Sequence, residues 1–406
     1  MLLTEILSNA EMDRKNNRLF EILGIIWRTE GISRRELAKE LRASKVSVIN
    51  YINKLIDRGV IEEQPSICAS HGRRPASLVL TKDLFYSIGV NFYREGTSSV
   101  LLLNACSEVV DEFKLPEEIL QAREKCDFAI HEIRRVIEKN SVPFDKIIGV
   151  GIALPGIVKP LAGEVRASSL FNDEANFNIS DYFKANLGKP CFLINPAHLQ
   201  AFNEHKWGNA KKMNSFLTIQ SGFGLGIFMN GSLYKGHQFN AGQLGAIQLQ
   251  NAGPVSSDGR TGTLSGIASF YKITTRIEEV IEQGGNTLVK EYLSEGKKKV
   301  TLEMLVKAIE NGDRLCAQMM SETFDTIGRA IVNLAYIFNP EAIFLPDWTA
   351  RCPDVSLEVV RRMMGHYGAS NWELKTDILS SKCGACDFAR GAAIIPGERF
   401  FKGNRI

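Results

Sequence analysis

SRRELAKELRASKVSVINYINKLIDRG, residues 33–59, decides the N-terminal fold, and GRRP at 72–75 completes its reading. Ser33-Arg34-Arg35-Glu36 is a capping box, in which a serine hydroxyl and a glutamate three residues on satisfy orphan backbone donors at a helix start. A helix is expected from Ser33, burying Leu37, Ala38 and Leu41. Arg42-Ala43 makes a short turn, and Ser44 caps a second helix running to about Arg58, closed by Gly59. In that second helix Val48, Ile49, Ile52, Leu55 and Ile56 fall on a packing face, and Ser47, Asn50, Tyr51, Lys54 and Arg58 on the opposite one. A preceding helix, Asn17 to Thr29, brings Leu19, Ile22, Leu23 and Ile26 to the same core. Two helices across a tight turn are a helix-turn-helix, and the residue types on the open face suit DNA: asparagine matches an adenine edge, lysine a guanine or a phosphate. Lys45, Ser47, Asn50, Tyr51 and Lys54 are therefore the expected DNA contacts.

Beyond this pair, Val60 to Gln64 and Leu78-Val79-Leu80 read as two short strands around a basic tip, a wing whose Arg73 and Arg74 suit a narrow minor groove. From Gly31 to Lys82 there are ten Lys and Arg against five Asp and Glu, a net of +5 in a chain whose total is +3. The positive excess is concentrated where nucleic acid would lie. A protein-docking winged helix is the alternative reading.

The 406 residues exceed the roughly 250–300 that one core serves, so several domains are expected. No apolar run approaches a membrane span and the N-terminus lacks a signal layout, so a cytoplasmic protein is expected. Eight cysteines, at 68, 106, 126, 191, 316, 352, 383 and 386, form neither a disulfide framework nor a ligand cluster. Cys383 and Cys386 are read as two small packing residues rather than half of a zinc or redox site. From Tyr86 onward strands alternate with helices: Tyr86–Asn91, Ser98–Asn104, a helix from about Leu120 to Lys139, Ile147–Ala153, Cys191–Ile194, Ser215–Gln220, a hairpin turning at Asn230-Gly231, and Ala342–Leu345. No internal repeat is visible.

Gly149-Val-Gly-Ile-Ala-Leu-Pro155-Gly156, Gly222-Phe-Gly224-Leu-Gly226, Asn230-Gly231-Ser-Leu-Tyr-Lys-Gly236 and Ala241-Gly242-Gln243-Leu-Gly245-Ala246-Ile247 together resemble the signature of the ROK family of repressors and sugar kinases. With the winged helix in front, the chain looks like that family's transcriptional regulators of xylose and N-acetylglucosamine genes. The resemblance implies an α/β, two-lobed, actin-like ATPase body of the hexokinase type with a sugar cleft. The domains then read as 1–82, winged helix-turn-helix; 83–194, first lobe; and 195–406, second lobe, with the last helix returning to the first.

The departures from the family pattern decide the chemistry. Asn91-Phe-Tyr-Arg-Glu-Gly-Thr97 stands where family kinases carry a phosphate loop, and Asn195-Pro196-Ala197 stands where their Asn-Asp-Ala supplies the catalytic base. Proline accepts no proton, so no catalytic residue is assigned and the protein is read as a non-enzyme. Leu345-Pro346-Asp347 replaces the adenosine-side Gly-Gly. Gly242-Gln243-Leu244-Gly245-Ala246 replaces Gly-Glu-Ile-Gly-His, and Ser256 to Ser265 aligns with the zinc loop while lacking its three thiolates, so neither metal nor cofactor is expected. Neutral hydrogen-bonding elements remain for a ligand: Pro155, Gly156, Asn195 and Gln243, with Gly222 and Gly224 read equally as an anion cradle or a tight turn. Asn176 and Asn178 are read either as ligand contacts or as loop caps. The expected partners are an operator in double-stranded DNA, a carbohydrate or sugar-phosphate effector, and a second or fourth copy of the chain, with no membrane. A sugar kinase with an appended DNA domain and a regulator controlled by protein docking are the alternatives.

Overall fold

In the computed structural model, residues 14–29, 31–65, 76–93, 98–116, 121–159, 164–167, 177–256, 259–294, 299–367 and 375–402 are described. Helices α1 (Arg14–Arg28), α2 (Arg34–Glu40) and α3 (Lys45–Asp57) precede an antiparallel pair, β1 (Ile61–Gln64) and β2 (Ser77–Leu80). The capping box is complete: the Glu36 backbone N–H donates to Ser33 Oγ at 3.3 Å, and the Ser33 N–H to the Glu36 carboxylate at 2.9 Å. Ser44 caps α3 by accepting from the Ser47 N–H at 3.2 Å. The turn between α2 and α3 holds Arg42 at φ 47°, a left-handed conformation that costs a residue with a side chain about 1 kcal/mol. Ile22, Leu23, Ile26, Leu37, Val48, Ile52, Leu55, Ile61 and Leu78 are buried together in this part of the chain. Ile49, expected on the packing face, is instead 40% exposed. It lies about 100° round the helix from Val48, and the narrow 48–52–55 stripe is all that the short neighbours cover.

Next come β3 (Tyr86–Asn91), β4 (Ser99–Asn104), β5 (Val109–Lys114), α4 (Ala122–Lys139), β6 (Ile147–Ala153), a separate hairpin of β7 (Ile157–Lys159) and β8 (Glu164–Ala167), α5 (Ile179–Leu187) and β9 (Cys191–Ile194). The sheet order is β5-β4-β3-β6-β9: an antiparallel meander, then two strands parallel to β3. A second series follows: α6 (Pro196–Lys206), β10 (Phe216–Ile219), β11 (Leu225–Met229), β12 (Ser232–Tyr234), α7 (Leu264–Ala268), α8 (Phe270–Glu282), α9 (Val289–Ser294), α10 (Leu302–Glu310), α11 (Arg314–Phe338), β13 (Ala342–Leu345), α12 (Leu357–Tyr367), β14 (Asp377–Ser380) and α13 (Phe388–Lys402). Its sheet order, β12-β11-β10-β13-β14, repeats the first with the same strand directions. The sequence shows no repeat because topology is set by turn and burial pattern, which different residues can supply. At the β11–β12 turn Asn230 and Gly231 sit at φ 52° and 73°, the pair of positive values a tight hairpin requires.

Residues 1–195 with 388–406 form one compact unit and 196–387 another. Each sheet is covered by a helix brought close by strand glycines. A Cβ on Gly89 or Gly151 would stand 1.8 or 1.9 Å from the carbonyl oxygens of Ala389 and Ala392 in α13. A Cβ on Gly226 would stand 2.4 Å from the Ala197 carbonyl oxygen in α6. The same α13 grips the winged helix. The rings of Trp27 and Phe401 lie 5.4 Å apart, those of Phe20 and Phe400 5.7 Å, and Phe85 meets both phenylalanines. The segment after β2 is tied down as well: Thr81 Oγ1 donates to the Gly59 carbonyl at 2.7 Å, the Ala105 N–H to the Lys82 carbonyl at 3.0 Å, and Lys146 Nζ to the Asp83 carbonyl at 2.7 Å.

Candidate functional site

Helix α3 presents Lys45, Ser47, Asn50 and Lys54 to solvent, with Tyr51 half-buried. Its orientation is braced by Arg34 at the start of α2, whose guanidinium donates to Asn53 Oδ1 at 2.8 Å and pairs with Glu63 of β1 at 2.6 Å. One side chain thus fixes α2, the reading helix and the wing strand against one another. Arg73 and Arg74, expected at the wing tip, lie outside the described residues. Sequence reasoning passed over two members of the open face: Val46 is 69% exposed, as Ile49 is 40%. A face assigned by hydrophobicity alone counts such residues as core.

The expected ligand residues fall into two sets, one in each compact unit. In the first, Asn195 Nδ2 donates to the Gly156 carbonyl at 2.9 Å, which brings the ends of β6 and β9 together beside Pro155. Where family kinases carry a phosphate loop, Asn91 is buried and its Oδ1 accepts from the Tyr93 N–H at 2.9 Å, closing its own turn. Phe92 packs on Phe183 and Tyr93 on Phe388. Pro196 begins α6, a first helical position where its missing N–H and fixed φ are well accommodated.

In the second unit Gly222 and Gly224 form the turn of the β10–β11 hairpin. The Phe223 N–H donates to the Gln220 carbonyl and the Gln220 N–H to the Gly224 carbonyl, both at 2.9 Å. Phe223 itself, at φ 57°, is buried against Phe270. The turn containing exposed Gln243 is laced to this hairpin, since the Leu225 N–H donates to the Gly242 carbonyl at 2.7 Å and the Gly245 N–H to the Phe223 carbonyl at 3.1 Å. Trp348, just after the Leu345-Pro346-Asp347 segment, donates its indole N–H to Ser221 Oγ at 3.0 Å and stands edge-on to Phe270 and Phe324. The glycine hairpin and the late strand are therefore bridged by the chain's own aromatic side chain. In the segment aligned with a zinc loop, Gly259 and Gly262 sit at φ 82° and 68° and the Ser256 N–H donates to the Arg260 carbonyl at 2.8 Å.

Helix α6 buries four polar side chains that were not anticipated, His198, Gln200, Asn203 and Glu204. Glu204 accepts from Ser381 Oγ at 2.6 Å and from the Lys382, Cys383 and Asn209 backbone N–H groups, clamping the segment that follows β14. His198 is held neutral: burial and the nearby Lys235 bring its pKa down to about 4, opposed by a hydrogen bond with the Ala241 backbone. Asn178 caps α5 by accepting from the Asp181 N–H at 3.1 Å, while Asn176 lies outside the described residues. Of the two cysteines expected to pack, Cys383 is buried but Cys386, in the short 3-10 turn Ala385–Asp387, is exposed.

A winged helix ahead of two five-stranded sheets of one repeated order defines a DNA-reader domain fused to an actin-like body. The ROK family profile matches residues 99–398, and a winged helix-turn-helix DNA-binding profile matches 15–62. The chain belongs to the ROK family. It is 25% identical over 382 residues to the xylose repressor of Caldicellulosiruptor bescii, covering 93% of this chain and 94% of that one. It is 26% identical over 333 residues to the N-acetylglucosamine repressor of Escherichia coli O157:H7, covering 81% and 80%. Among solved structures, a ROK family transcriptional regulator homologous to the E. coli MLC protein superposes with a TM-score of 0.75 at 21% identity, over 95% of this chain and 96% of that one. A ROK family glucokinase from Streptomyces griseus, solved with glucose and AMPPNP, does so at 0.63 and 20% identity, over 77% and 99%. No described helix is long and apolar enough to cross a membrane.

Proposed function

We propose that this chain is a sequence-specific transcriptional regulator, a repressor of carbohydrate-related genes, which binds a two-fold operator as a dimer or a dimer of dimers and is controlled by an effector held in a body that transfers no phosphate. The observation that carries this reading is the braced helix α3, capped at Ser44 and presenting Lys45, Ser47, Asn50 and Lys54 from a segment with a net charge of +5. Phosphate contacts from such lysines position a protein on DNA, and base-edge contacts from asparagine select the site. The relatives matched over most of the chain are named xylose repressor and N-acetylglucosamine repressor, which favours a carbohydrate or sugar phosphate as effector.

Three features argue against phosphoryl transfer. Pro196 offers no base, Asn91 to Tyr93 close a turn filled with aromatic rings, and Trp348 occupies the hydroxyl of Ser221 beside the glycine hairpin. Asn195 and the Gly156 carbonyl in the first unit, and Gln243 in the second, are neutral groups of the kind that recognise hydroxyls. For the DNA-binding head to respond, the effector must favour one arrangement of the body over another. The aromatic joint between α1 and α13 supplies the coupling, because a head gripped by the first sheet's own covering helix moves with that sheet.

The test is fluorescence anisotropy with the chain's own upstream DNA against a scrambled duplex, repeated with a panel of sugars and sugar phosphates. Tighter binding to the native duplex, relieved by one compound, is the expected result. Equal binding to both duplexes at every condition removes the operator from the account, and ATP-dependent phosphorylation of any sugar in the panel removes the inert body.

A further inference from the structure

Among the described residues of the winged helix, the large apolar side chains are buried or half-buried except for Val46 and Ile49, which are 69% and 40% exposed. Both are on α3, three residues apart, in the half of the helix that follows the Ser44 cap. Local structure gives no reason for them: β-branched residues are weaker helix formers than most alternatives and gain nothing when exposed. Their neighbours on the open face are Lys45 and Asn50, while Asn53 is already engaged by Arg34. A bare aliphatic pair framed by a cation and an amide is poorly matched to an apolar protein partner and well matched to a major groove, where the one apolar feature of a base edge is the thymine methyl group.

We propose that Val46 and Ile49 are specificity-determining residues that read thymine C5-methyl groups in the operator. The inference rests on the DNA-reader function proposed above and deepens it. The N-terminal part of a recognition helix is the part that meets base edges. Three residues advance a helix by about 4.5 Å, close to the roughly 3.4 Å spacing of successive bases, so the two side chains address neighbouring base pairs. Asn50, one residue on from Ile49, pairs best with adenine. The three together select an A·T-rich half-site in which Asn50 takes an adenine edge and the aliphatic pair takes the methyl groups of thymines beside it. Lys45 supplies the phosphate or guanine contact that fixes the register.

The experiment selects binding sites for the full-length protein from a random duplex pool and then replaces each thymine of the selected site, one at a time, by deoxyuridine. Uracil keeps every hydrogen-bonding group and lacks only the methyl. Affinity is expected to fall about fourfold at each contacted thymine, the value of one buried methyl group. Val46→Ala and Ile49→Ala should each lose a similar factor on the thymine duplex and become indifferent to uracil at one position. Both substitutions are at exposed sites and to a better helix former, and unchanged helical circular dichroism confirms that the fold is intact. A selected site at which no uracil replacement weakens binding overturns the methyl reading and leaves the DNA-reader function standing. Selection of no sequence at all overturns both. If the alanine variants keep full DNA affinity and instead lose a protein association, the aliphatic pair is a docking surface and the inference falls.

Discussion

The joint between α1 and α13 yields the sharpest quantitative expectation. Trp27 is 9% and Phe401 6% exposed, with ring centroids 5.4 Å apart, and Gly397 lies so close beneath the indole that a Cβ would stand 2.5 Å from Trp27 Cζ2. Truncating either aromatic to alanine should cost about 3–5 kcal/mol of the local stability of α1. The direct ring contact contributes about 0.5–1.5 kcal/mol beyond burial, and the cavity left by one truncation is shared with the other. The double variant should therefore cost less than the sum of the singles by at least that amount. Gly397→Ala should itself be destabilising, although alanine is the better helix former by about 1 kcal/mol, and the defect should largely disappear in a Trp27→Ala background, where the ring is gone. Native-state hydrogen exchange of the α1 amides is the assay, since it reports local opening in a chain of more than one compact unit. Additivity of Trp27→Ala and Phe401→Ala within about 0.3 kcal/mol, or a Gly397→Ala defect that persists without the indole, would refute the claim that α13 grips the head.

Other expectations follow from single residues. His198 has a folded pKa of about 4 against an ordinary 6.5, so the unfolded chain takes up its proton first. Stability should fall as pH drops below about 6.5, by about 3 kcal/mol in total, and level off below about 4. His198→Gln should flatten that part of the pH–stability curve, and an identical slope in both proteins would show the histidine to be solvated. Arg42→Gly should relieve the left-handed turn at φ 47° and raise thermal stability by up to about 1 kcal/mol, less the extra freedom glycine gives the unfolded chain; a lowered melting temperature counts against strain there. Arg73→Ala combined with Arg74→Ala should weaken operator binding several-fold and make the slope of log affinity against log salt shallower by about one for each phosphate no longer neutralised. An unchanged slope would take the wing out of the interface.

The winged helix was legible because its signals are local: a capping box at Ser33, a cap at Ser44, a glycine at 59 and a hydrophobic stripe at helical spacing. The Asn230-Gly231 hairpin and strands β3, β4, β6, β9, β10 and β13 were readable for the same reason, whereas β5, the β7–β8 hairpin and β14 were not expected from the sequence. Ile49 was misplaced since apolarity alone does not distinguish a core face from a face that waits for another molecule. The repeated sheet order was invisible because the two halves share connectivity rather than residues. The grip of Phe400 and Phe401 on Trp27 and Phe20 joins positions more than 370 residues apart, and no local pattern announces such a contact. The departures from the family pattern at Pro196 and Gln243 could be read in the sequence, whereas the Trp348 to Ser221 bridge and the Glu204 clamp join segments more than 100 residues apart in the chain.

The central claim is that α3 reads DNA, and a salt series on operator and scrambled duplexes, with the natural chain beside a Lys45→Ala, Lys54→Ala variant, tests it most directly. The expected result is a steep fall of affinity with salt for the natural chain on its operator, a slope smaller by about two in the variant if both lysines meet phosphates, and tighter binding to operator than to scrambled DNA throughout. Superimposable curves for the natural chain and the variant, with no preference between the duplexes, would contradict it.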